Sequence, residues 1–145
     1  MSGSAPRPLN ETAGLWYLAL NVLVPGVWAL VSPQGFYQNF PLPGHAWVAA
    51  EGPYNEHLLR DFGSLQLSLA ALTLLSLFWP RQVNTRVVAI CTLVYGLPHL
   101  IYHLMHLQAF SGPLDMVAAV LLLALQVMVP ILLLVHAPPE PGRTP

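Results

Sequence analysis

The stretch VVAICTLVYGLPHLIYHLMHL, residues 87–107, decides the fold. It contains no Asp, Glu, Lys or Arg, and it is long enough as a helix to cross about 30 Å of hydrocarbon at roughly 1.5 Å of rise per residue. Its Val, Ile and Leu residues suit an apolar solvent, so the stretch reads as a membrane-spanning helix. At about 100° of helical advance per residue, His99, His103 and His106 fall within one narrow arc, with Tyr95 and Tyr102 beside them. An ionisable group in a spanning helix is costly against lipid, so this imidazole stripe is expected to face protein or a wet cavity. Gly96 and Pro98 are expected to bend the helix just before the stripe.

Outward from this segment lie three more apolar runs of similar length, residues 14–31, 58–79 and 114–135. Across the chain 55% of residues are hydrophobic and 8% charged, a balance that a water-soluble domain of this size could not cover with polar surface. The expected fold is all-α: a polytopic membrane protein with four transmembrane helices in an up-down bundle. Residues 14–136 form the single membrane domain, flanked by polar, Pro-containing tails at residues 1–13 and 137–145 that read as disordered. Arg7 ahead of the first run also fits a signal peptide. That run, however, exceeds the usual ~7–15 residues and lacks a small-x-small cleavage site after it. A net charge of -1 without any lysine argues against a nucleic-acid partner. Cys91 is the sole cysteine, so no internal disulfide exists.

Four spans put Arg7, Arg81, Arg86 and Arg143 on one side and only Arg60 on the other. By the positive-inside rule both termini are expected in the cytoplasm, in a bacterial plasma membrane. The long connection, SPQGFYQNFPLPGHAWVAAEGPYN at residues 32–55, then lies outside. Its five aromatic residues are poorly placed in free solvent, so it is expected to fold onto the bundle end at headgroup level as a lid, with a short helix around residues 45–51.

The second span opens with NEHLLRD, residues 55–61, in which Glu56 with Arg60 and His57 with Asp61 are i,i+4 pairs. Gly63, Ser64 and Ser68 follow on this helix and permit close helix contact. The four-span topology brings this end, the end of the histidine helix and the lid to one outer mouth. The candidate ligand or metal residues are therefore His57, Asp61, His99, His103 and His106, supported by Glu56, Arg60, Tyr95 and Tyr102. His45, Glu51 and Asp115 are within reach.

Three readings of that cluster stand. It is a polar clamp between the second and third spans, a metal (Zn, Fe or Cu) or haem site, or the directional end of a cavity for a lipid or quinone beneath the lid, with Tyr95 and Cys91 at its floor. A binding module predicts a discrete cavity, a metal protein predicts three or more converging ligand atoms, and a structural subunit predicts neither. No Ser/His/Asp triad or Gly-rich phosphate loop is legible. The functional expectation is an accessory or small-molecule-binding subunit, in contact with the bilayer and with a larger membrane complex or further copies of itself. The alternative is a histidine-ligated metal or haem redox protein.

The segments Ser32-Pro33-Gln34-Gly35-Phe36-Tyr37 and Arg60-Asp61-Phe62-Gly63, with two further spans, resemble small bacterial four-helix membrane proteins of the DoxX-like, uncharacterised type. The resemblance covers most of residues 15–135 and implies a four-helix bundle associated with membrane redox systems. It carries over no functional residue.

Overall fold

The computed structural model describes residues 7–136. Helices α1 (Leu9–Val31), α2 (Pro33–Asn39), α3 (Trp47–Ala50), α4 (Glu56–Phe78), α5 (Thr85–Met105) and α6 (Pro113–His136) make up the chain, with a 3-10 turn at Leu107–Ala109 and no strand among the described residues. Of these, α1, α4, α5 and α6 are long and apolar enough to cross a membrane. The protein is thus an all-α chain with four candidate spans.

Local sequence explains where the spans begin. The side chain of Asn55 accepts the Leu58 N–H at 3.1 Å, and that of Asn84 accepts the Val87 N–H at 2.9 Å, which satisfies donors that the first turns of α4 and α5 leave open. Helix α5 runs through Pro98 as one helix.

Helix α1 starts at Leu9, whereas the polar residues before Gly14 were expected to form a tail. Tertiary contacts explain the difference. Arg7 pairs with Glu11 at 3.1 Å and donates to the Ser76 carbonyl at 3.0 Å, and Glu11 in turn accepts a hydrogen bond from the Thr85 hydroxyl. These residues tie the start of α1 to the end of α4 and the start of α5. The remaining tail expectations, for residues 1–6 and 137–145 with Arg143, lie outside the described residues.

The expected connection is half helical. Pro33 starts α2 at a position where its missing N–H is no loss, and α3 falls within the expected 45–51 segment. The Tyr37 hydroxyl donates to the Gly52 carbonyl at 2.8 Å and closes the connection on itself.

Among the spans, α1 packs most extensively on α4, and α5 on α6. The α1·α4 approach is close because Gly26 faces Gly63: a Cβ built on Gly63 would lie 2.9 Å from the Gly26 carbonyl oxygen. Outward-facing apolar residues such as Val94 (71% exposed) and Leu121 (59%) run along the spans and fit a lipid environment.

Two packed regions bracket the interior. At the Arg7 end, Leu15, Leu18, Val88, Ala89 and Leu133 form one core; at the other, Ala29, Phe36 and Leu59 pack with Trp28, Tyr37, Phe40, Val48 and Phe62. Between them the two helix pairs part.

Candidate functional site

The parting leaves a cavity of about 270 Å³, close to the lower end of the ~300–1,000 Å³ typical of ligand pockets. All four spans and both connection helices line it. Aromatic rings of Phe36, Phe40, Trp47, Phe62 and Phe110 supply much of the wall, with Ala119, Leu122 and Leu123 opposite on α6. Phe36 sits at the centre of the aromatic roof, 4.7 Å from Phe40, 5.8 Å from Trp28 and 5.8 Å from Phe62 between ring centroids.

The polar lining has a simple arrangement. Asn21 on α1, Gln66 on α4, Tyr95 on α5 and Gln126 on α6 each line the cavity from near the middle of their helix. Gln66 and Gln126 are 3% and 4% exposed. A buried carboxamide among Leu and Val is unfavourable unless something polar meets it, so one polar group per span at mid-length is not what lipid-facing packing alone selects. Of the four, Tyr95 is expected at the site from the sequence and Gln66 is not. The signal that finds it is a single neutral amide or phenol halfway along each span.

Above this floor, one turn apart on α5, stand His99 and His103. Their Nε2 atoms are 3.1 Å apart. His103 Nδ1 faces Glu51 Oε1 across 3.4 Å, and the other Glu51 oxygen accepts a hydrogen bond from the Tyr102 hydroxyl at 3.0 Å. A second contact holds the connection at its other side, where His45 Nδ1 meets Asp115 on α6 at 2.6 Å. The connection therefore roofs the cavity and is pinned to α5 and α6 by two carboxylate–imidazole contacts.

The pins are separable from the roof. Asp115→Ala removes one of them from a partly exposed site, so it is expected to cost about 1 kcal/mol or less. Hydrogen exchange should then speed up several-fold in residues 42–52 and stay unchanged in the spans. Protection lost throughout the bundle would show that the contact supports the whole fold and not the roof.

Several sequence-selected residues lie elsewhere. His57 and Asp61 pair with each other at 3.4 Å, but their side chains are 87% and 64% exposed and neither lines the cavity. Arg60 pairs with Glu56 at 2.8 Å and donates to the Leu30 carbonyl at 2.7 Å, so this pair caps the end of α1. The expectation that three histidines share one face is corrected to two. Helix α5 ends at Met105, and His106 takes a non-helical backbone (φ -125°, ψ 33°). Its Nδ1 donates to the Tyr102 carbonyl at 2.7 Å, and its ring stacks on Tyr102. Tyr95 does lie in the cavity wall, but Cys91, expected beside it, does not. Among the described residues no group of three or more His, Cys, Asp or Glu is placed to hold a metal ion. The convergence expected of a metal centre is therefore not met there.

No protein-family model, curated protein or solved structure matches this chain.

Proposed function

We propose that this chain is a small membrane subunit that binds a compact, largely apolar molecule of the lipid or quinone class in the cavity beneath its roof. The observation that carries this reading is the cavity itself, walled by rings and aliphatic side chains and given direction by a few polar groups, which is the usual composition of a small-molecule site. The arginine distribution supports a bacterial plasma-membrane orientation with the roof outside, both termini in the cytoplasm and alternating spans. Small size and the exposed row Glu56, His57, Arg60 and Asp61 at the roof end fit docking on a larger assembly, and the DoxX-like resemblance fits a membrane redox setting.

Ala119 is 2% exposed and forms part of the cavity wall, so Ala119→Phe fills the space without adding a polar group. In native mass spectrometry of protein extracted gently from its membrane, the wild type and Asp61→Asn are expected to carry a bound small molecule. Ala119→Phe is expected to emerge empty with its melting temperature nearly kept. An empty wild type, or equal occupancy in Ala119→Phe, refutes the binding role.

A further inference from the structure

The chain Glu51, His103, His99 has a direction, and the direction selects the ligand. In its neutral form His103 faces the Glu51 oxygen 3.4 Å away favourably only with its proton on Nδ1, which leaves its Nε2 with a bare lone pair. The contact is electrostatic and not a full hydrogen bond, since Nδ1 has no hydrogen-bond partner by geometry. The 3.1 Å separation of the two Nε2 atoms needs one proton between them. A neutral His103 with its proton on Nδ1 does not supply it, so His99 donates. His99 Nδ1 is then an acceptor, and it is buried without a partner.

A second acceptor is stranded in the same wall. Gln66 Oε1 is buried and unpartnered, on a residue that is 3% exposed and whose side chain is otherwise hydrogen-bonded to Tyr95. Trp47 Nε1, under the roof, is an unpartnered donor. Buried groups of this kind cost about 1–3 kcal/mol each when left unsatisfied; Trp47, Gln66, His99 and His103 carry such atoms and all line this cavity, while Tyr17 and Ser76 carry others away from it.

We infer that the ligand of this cavity is an apolar ring or chain bearing a hydroxyl group, held by donation of its O–H to His99 Nδ1 or Gln66 Oε1. The inference rests on the binding role proposed above and narrows it. A hydroxyl donates and also accepts, so it answers both kinds of stranded atom. A carbonyl or ether only accepts; it can meet Trp47 but leaves His99 and Gln66 unsatisfied. Of a quinone pair, the reduced, hydroxyl-bearing member is the one that fits.

Equilibrium dialysis of the full chain in nanodiscs, with empty nanodiscs as blank, compares 2-naphthol, 2-methoxynaphthalene and naphthalene. The three share one ring system; the ether lacks the donor and is larger, and naphthalene lacks it and is smaller. The wild type is expected to bind 2-naphthol about tenfold or more tightly than either. His99→Phe is expected to bring the ratio to near one; should it fail to fold, Gln66→Met is expected to reduce it. Equal binding of all three probes overturns the hydroxyl assignment and leaves the cavity role intact. Binding of none overturns both. A hydroxyl preference that survives in both variants removes His99 and Gln66 as its readers.

Discussion

Gly63→Leu is expected to drive α1 and α4 apart and to leave little folded protein, while Gly112→Ala is silent. A Cβ on Gly63 would meet the Gly26 carbonyl oxygen at 2.9 Å, Leu30 Cγ at 3.0 Å and the Leu30 backbone nitrogen at 3.1 Å. Two of those three atoms are backbone and cannot rotate away, so even alanine there forces the helices to separate. Overpacking of a fitted interface costs about 1–3 kcal/mol for a small group, and leucine adds far more volume. The effect is magnified because spanning helices in lipid gain little from hydrophobic burial and depend on close van der Waals fit. The same crossing positions Gln66, whose Cβ lies 3.0 Å from the position a Gly26 Cβ would take. At Gly112 an added Cβ meets nothing within 4 Å. Thermal unfolding in detergent followed by size-exclusion chromatography should show Gly63→Ala lowered in melting temperature, Gly63→Leu aggregated or absent, and Gly112→Ala unchanged. A Gly63→Leu chain that melts like the wild type would mean that the two helices do not touch here.

Hydropathy made the four spans legible because a spanning helix must be apolar along nearly its whole length, whatever its neighbours are. Gly63 was legible as a contact position for a related reason: small residues let backbones approach. The site was harder to read. A hexad such as Glu56 to Asp61 concentrates ionisable groups and attracts attention, yet its i,i+4 pairs satisfy one another on the exposed side of α4, and Arg60 turns to cap α1. Sequence spacing places side chains on a face of a helix; it does not say which face meets the partner. His106 was misplaced for another reason. The helical arc holds only while the helix continues, and nothing in Leu104-Met105-His106 marks its end. The early start of α1 was hidden because Glu11 finds its partners in Arg7 and Thr85, and Thr85 lies far along the chain. Glu51 and His45 reach α5 and α6 only through the fold of the connection, a degree of freedom that no periodicity constrains.

Phe36→Ala is expected to have the second-largest effect and to act on the roof before the spans. The ring is 2% exposed and contacts Trp28, Phe40 and Phe62, which makes it the peg that joins α2 to both α1 and α4. Removal of a buried phenylalanine costs about 3–5 kcal/mol, including the void left behind. Here the void would merge with the cavity, so the loss is not recovered by collapse. Glu51 and His45 are too exposed to hold the connection alone: their contacts to His103 and Asp115 are each worth about 1 kcal/mol in such settings. Trp47, which touches Phe40 and Phe110 at 6.3 Å and 5.5 Å between centroids, should follow the roof outward. The expected signature is a red-shifted tryptophan emission and loss of exchange protection across residues 33–52, with the α1·α4 crossing at Gly26 and Gly63 still protected. Phe36→Leu, which restores most of the volume but not the ring contacts, should recover part of the protection. Retention of full roof protection in Phe36→Ala would transfer the anchoring role to the two carboxylate–imidazole pins, and Asp115→Ala would then have to open the cavity by itself.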